Sequence, residues 1–135
     1  NEIAINKTVA KTVYKAIKSI DPKLKIMGLA GSHVEDILNA MDMAYVPEAF
    51  ADRQYEADGK LRSRSLPNAV INNATTAAQQ VVSIAENGET QSIDGQKVLL
   101  DAKSFCIHGD NPAAVDILRE IDALLIAHNI EKKHF

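Results

Sequence analysis

Apolar residues recur at three- and four-residue spacing in four stretches of the chain and run continuously in short blocks between them. Ile5, Val9, Val13, Ala16, Ile17 and Ile20 form the first helical stripe, with Lys7, Lys11, Lys15 and Lys18 on roughly the opposite face. This predicts an amphipathic helix stopped by Asp21-Pro22, its lysine row a solvated face rather than an anion-binding stripe, because no aromatic residue interleaves with it. Leu24 to Leu29 reads as a short strand, and Ala30-Gly31-Ser32 turns it into a second helix with Val34, Ile37, Leu38 and Met41 inside. Ser32 and Glu35 have the spacing of a capping box, and His33, in the first turn, is expected to face solvent. Ala44 to Phe50 reads as another strand in which Pro47, having no N–H, belongs at a start, an edge or a bulge.

Next comes the long polar stretch Ala51 to Asn72. Loops beyond about 12 to 15 residues are uncommon in compact domains and are usually functional or disordered; Tyr55 and the many charges favour function. Asn72 or Asn73 is placed to cap a helix carrying Ala77, Ala78, Val81, Ile84 and Ala85, and Gly88 to end it. Ser92 to Val98 reads as a small hairpin, a structural insertion, with Asp94-Gly95 suited to a type I′ turn. Ser104 to Ile107 predicts a third strand. Asn111-Pro112 supplies an N-cap and first position for a last helix with Ala114, Ile117, Leu118, Ile121, Leu124, Leu125 and His128 inside, followed by a frayed Glu131 to His134 tail.

Strands alternating with helices predict right-handed crossovers and a parallel sheet. The three strand exits, at Gly31-Ser32, Asp52-Arg53 and His108 to Asp110, then share one edge, where α/β folds place their sites. A chain of 135 residues has the size of one domain by the prior of roughly 100 to 200 residues. It begins at Asn1 without an initiator Met and is read as a fragment or a processed chain. A balance of 15 basic against 18 acidic side chains gives no reason to expect nucleic acid, and no apolar run approaches the roughly 20 residues that span a bilayer. The single Cys106 excludes an intramolecular disulfide framework and fits a reducing, cytoplasmic setting; inside an apolar strand it reads as a small core residue.

His108 is the one histidine at a strand exit, and imidazole exchanges protons near neutrality. It is read either as an acid/base oriented by Asp110 or as a core residue bonded to a carbonyl, and Asp110 has the alternative of capping the last helix. Asp52-Arg53 brace the loop or serve the site; Arg53 or Arg64 is suited to bidentate grip of a carboxylate. His108, Asp110, Asp52 and Glu48 share no recognised metal spacing, and no phosphate-binding glycine motif is present.

Phe50-Ala51-Asp52-Arg53, Tyr55, Asp58-Gly59-Lys60-Leu61 and Arg64, with Cys106 to Asp110 downstream and Gly28 to Ser32 upstream, resemble the LamB/YcsF family of 5-oxoprolinase A subunits over nearly the whole chain. The resemblance implies the C-terminal part of an irregular β/α barrel like that of the polysaccharide deacetylase and glycosidase-like superfamily, with its N-terminal half absent here. It also implies ATP-dependent opening of the lactam of 5-oxoproline to glutamate, with ATP as cosubstrate and with the B and C subunits of 5-oxoprolinase as partners. On that reading His108, Asp110 and Asp52 are catalytic, and Arg53, Arg64 and Tyr55 bind substrate. His108 is the acid/base on the lactam or a phosphorylated intermediate, Asp110 orients it, and Asp52 positions Arg53 or a water. The fragment is expected to be inactive alone and to need its missing half or a second copy of the chain. Two other readings are a non-catalytic module docking partner subunits through the 51–72 loop, and a metal-dependent carbohydrate deacetylase-like hydrolase.

Overall fold

A computed structural model describes residues 2–133. Asn1 and the last two residues, including His134 of the expected tail, lie outside the described residues. The first helical stripe is broken at Asn6 into α1 (Glu2–Ile5) and α2 (Lys7–Ile20). The Asn6 side chain causes the break, accepting from Thr8 N at 3.1 Å and Val9 N at 3.2 Å as an N-cap. The face of α2 that is fully buried is Ala10 and Tyr14, packed with Val34, Ile37, Leu38 and Met43, while Ile5 and Ile20 are exposed. Lys7, Lys11 and Lys15 are solvated, as expected, whereas Lys18 turns back to donate to Met41 O.

β1 (Ile26–Leu29), α3 (Val34–Ala40), β2 (Tyr45–Phe50), α4 (Ala74–Asn87), β5 (Ser104–Cys106) and α5 (Ala114–Ala127) give the expected alternation, with β3 (Glu89–Gln91) and β4 (Lys97–Leu99) inserted between α4 and β5. The main sheet is parallel, in the order β1-β2-β5. Two successive right-handed crossovers in the same direction carry both helical pairs to one face. There Ile26 and Tyr45 meet α2 and α3, and Phe105 and Ile107 meet α4 and α5. Gly28 permits the approach of α3: a Cβ on it would stand 2.9 Å from Val34 Cγ1. The opposite face carries Met27, Leu29, Val46, Glu48, Phe50, Ser104 and Cys106 by strand alternation, and of these seven only Val46 is buried.

Several local expectations are corrected. Pro47 lies inside the central strand, paired with Gly28; its carbonyl accepts from Lys103 N at 2.8 Å, and its missing donor falls on the β5 side before the β2–β5 pairing begins at Glu48 and Ser104. The capping box does not close: Ser32 Oγ donates to Leu29 O at 2.7 Å and accepts from Val34 N at 3.3 Å rather than from Glu35 N, and His33, at the N-cap position of α3, makes no side-chain cap bond. His33 is half-buried, its Nε2 3.0 Å from Ile3 O. α4 starts at the Asn73 cap and ends at Gly88 as expected, but Ala85 is exposed and Gln80 is buried. In the hairpin Gly95 N bonds Ser92 O at 2.9 Å, and positive φ occurs at Gly95 but not Asp94. This is a three-residue connection closed by a left-handed glycine, not a type I′ turn. Leu118 and His128 of α5 face outward, His128 reaching Glu86 Oε1 at 2.8 Å. Among the described residues no helix is long and apolar enough to cross a membrane.

Candidate active site

The 51–72 stretch is a hydrogen-bonded shell rather than an open loop. Arg53 bridges Val70, Tyr55 bridges Leu61 and Ser92, and Ile71 N bonds Asp52 O at 2.9 Å. Gln80 of α4 fixes its start: Nε2 lies 2.8 Å from Phe50 O, 3.0 Å from Arg53 O and 3.3 Å from Ala51 O, and Oε1 accepts from Thr90 Oγ1 at 3.1 Å. The chain leaving β2 is thereby held against α4, with the Asp52 side chain turned inward, 1% exposed.

Three donors converge on that carboxylate. His108 Nδ1 lies 2.8 Å from Oδ1, and Oδ2 accepts from His108 N and from Asn111 Nδ2, each at 3.2 Å. Asn111 also donates to Ile71 O at 3.1 Å and accepts from Ala113 N at 2.9 Å, tying the exits of β2 and β5 to the entry of α5. The His108 ring stacks on Phe50 with centroids 5.4 Å apart and planes 22° apart, and its side chain is 24% exposed. With Nδ1 held by a carboxylate and one face covered by Phe50, the ring is fixed in orientation. Nε2, which has no hydrogen-bond partner among the described residues, is the atom through which it can exchange a proton with a bound molecule.

Topology therefore joins Asp52 and His108, but with a different division of labour from that expected. Asp52, not Asp110, orients His108. Asp110 is exposed, neither on the ring nor capping α5; its oxygen is 3.1 Å from Arg64 Nη1, and that guanidinium holds its carboxyl below the usual range. Arg53 is buried and donates through Nε to Ala69 O at 3.2 Å and through Nη2 to Arg62 O, so it braces the loop instead of gripping a carboxylate. Burial, and then Arg64 nearby, push its pKa down. Tyr55 is wholly buried, its hydroxyl accepting from Phe50 N at 2.8 Å and pushed up to about 12 by burial, which removes it from substrate contact. Arg64 remains half-exposed beside the site. The third exit does not join: Ser32 lines a separate cavity with His33 and the 58–61 turn.

Asn111 and Gln80 carry no obvious signal in the sequence. Asn111 before Pro112 looks like a helix cap, and nothing local points to its bond with Asp52; Gln80, a polar residue at buried-face spacing between Ala77 and Val81, was the available clue. Cys106 is half-buried rather than a core residue, its thiol pushed up by burial and by the charges of Glu48 and Asp52. Among the described residues no three of His, Cys, Asp and Glu gather as metal ligands.

A protein from Corynebacterium glutamicum, described as the A subunit of 5-oxoprolinase, is 41% identical over 134 residues, 99% of this chain and 53% of the relative. One from Agrobacterium fabrum, described as 5-oxoprolinase A subunit 1, is 39% identical over the whole chain and 53% of its own length. The crystal structure of a lactam utilization protein from Thermus thermophilus superposes with a TM-score of 0.88 at 28% identity, covering 99% of this chain and 53% of that one. The chain thus spans about half the length of the relatives it matches. The model of the LamB/YcsF family matches residues 1–135, and the chain belongs to that family.

Proposed function

We propose that this chain is the C-terminal half of a single-domain, irregular β/α barrel of the polysaccharide deacetylase-like kind, and that the complete protein opens the lactam of 5-oxoproline to glutamate. The observation that carries the proposal is the Asp52–His108 pair at the exits of two adjacent parallel strands, one carboxylate holding Nδ1 and leaving Nε2 without a partner among the described residues. The names of the relatives, a 5-oxoprolinase A subunit in one case and a lactam utilization protein in another, support the substrate class. That the former is named as one of several subunits supports assembly with partners such as the B and C subunits.

In this reading His108 Nε2 moves the proton of the amide-cleaving step, and Asp52 fixes the ring and faces the charge that arises on it. Arg64 exchanges the exposed Asp110 carboxylate for that of the substrate, a swap between two partly solvated ion pairs that costs little. ATP is the cosubstrate of the assembly. At the β1 exit the Ser32 hydroxyl donates to Leu29 O and Lys60 pairs with Asp58, and the sequence carries no phosphate-binding glycine motif.

His108→Ala in the full-length protein, assayed with its partners and ATP, lowers lactam-opening turnover at least about a hundred-fold while leaving the far-UV circular dichroism unchanged. Near-normal turnover in the folded variant overturns the assignment.

A further inference from the structure

Glu48 lies two residues before Phe50 on β2, so alternation turns both side chains to the sheet face away from the helices. The register sets Glu48 beside Leu29 of β1 and Ser104 of β5, and Phe50 carries the stacked His108 ring, which places Glu48 and His108 on the same side. The Glu48 carboxylate is half-buried and has neither ion pair nor hydrogen bond among the described residues. It lines a cavity of about 220 Å³ whose other walls include Met27, Leu29, Phe50 and Leu61. A carboxylate left without a partner in an apolar cavity, on the same side of the sheet as an imidazole whose charge it feels, is a poor stabilising device and a good proton acceptor.

We infer that Glu48 is the second proton-transfer group of the Asp52–His108 site, taking a proton from the attacking water while His108 gives one to the departing amide nitrogen. This rests on the amide-hydrolase reading above. In the step, the water oxygen forms a bond to the lactam carbonyl carbon and its proton passes to the Glu48 carboxylate. The carbon–nitrogen bond then breaks, and the nitrogen takes the proton from Nε2 of the His108 imidazolium. The products are a carboxyl group and an amine, and the proton on Glu48 returns through solvent to His108. Burial holds the Glu48 carboxyl above its ordinary value and the charge of His108 pulls it partly back, which strengthens the base while keeping the two groups coupled. The other titratable groups that feel Glu48 are Tyr45, Tyr55 and Cys106, all raised and so uncharged near neutrality.

The test is the pH profile of lactam opening by the full-length protein in its complex with ATP, for the wild type, Glu48→Gln and Glu48→Asp. The wild type gives a bell whose acid limb belongs to Glu48. Glu48→Gln lowers kcat about a hundred-fold, leaves KM within about threefold and abolishes the acid limb, and Glu48→Asp restores part of the rate. In parallel, the side-chain carboxyl carbon-13 resonance of Glu48 titrates above those of the exposed glutamates, and its midpoint rises in His108→Ala, where the neighbouring cation is gone. An active Glu48→Gln that keeps its acid limb, or a Glu48 midpoint indifferent to His108→Ala, overturns the inference and leaves the amide-hydrolase reading standing. A wild type that opens no lactam overturns both.

Discussion

Asp52 is the residue on which the site depends most, because one buried carboxylate accepts from a ring, a backbone amide and a side-chain amide at once. Asp52→Asn keeps the shape but turns an N–H group toward one of those donors, leaving a buried donor without an acceptor. Its cost is about 1–3 kcal/mol of stability, read as a lower melting temperature, and the ring loses its fixed tautomer, which lowers turnover by about two to four orders of magnitude. A variant that melts and turns over like the wild type would show that the three contacts carry no energy. At this scale His108 and Asp52 were legible in the sequence because each ends a strand, and parallel topology brings strand ends together. Their pairing was not: Asp110, two residues from His108, looked the nearer partner, and the preference for Asp52, far away in the chain, is set by how deeply the β2 exit is buried. Arg53 and Tyr55 misled for a related reason, since polar residues in a long loop read as exposed, whereas here the loop folds over them.

That folding-over is a property of elements rather than of residues. α4 is apolar along most of its inner face, yet Gln80 interrupts it and satisfies the carbonyls where the chain leaves β2, and β3 contributes Thr90 to the same amide. β3 and β4 are thus the floor of the 51–72 shell: Val98 and Leu100 pack on Tyr55, and Ile93 N bonds Tyr55 O at 2.8 Å. Gln80→Ala strands at least two buried carbonyls and costs about 1–3 kcal/mol, with the loss concentrated in the shell. Amide hydrogen exchange is therefore expected to accelerate at Ile71 and His108, whose N–H groups bond Asp52, and to stay unchanged at Ile26 in the β1–β2 ladder. Uniform acceleration across both regions would place Gln80 in the global fold instead. The three main-sheet strands and three long helices followed from apolar periodicity because each buries one stripe or one face. Turn type and helix caps did not, since side chains such as Asn111 and Ser32 have several partners in reach and the tertiary structure chooses among them.

At the scale of the molecule the sheet is covered, among the described residues, by helices on one side alone. Apart from the buried Val46, its other face is a strip of partly exposed side chains from Met27 to Cys106, and among the described residues β1 and β5 end the ladder at both edges. On β1 the N–H groups of Ile26 and Ala30 bond β2, so by alternation those of Met27 and Leu29 point to the open edge. An unpaired edge beside an apolar strip is a template for another strand. The relatives are about twice as long as this chain, and if the remaining half of that length supplies the next strands, as the barrel proposal requires, the edge and the strip are its seat. The chain produced alone is then expected to self-associate with rising concentration in sedimentation velocity, with fast exchange at the Met27 and Leu29 amides. Co-production with the missing half is expected to give one species of defined mass, to slow exchange at those two amides by at least about tenfold, and to enclose Glu48 and His108 on the inner side of the closed sheet. An isolated chain that stays monomeric with the Met27 and Leu29 amides already protected would mean that its own α1, whose Ile3 and Ala4 line the cavity beside β1, closes the edge, and the barrel proposal would fall.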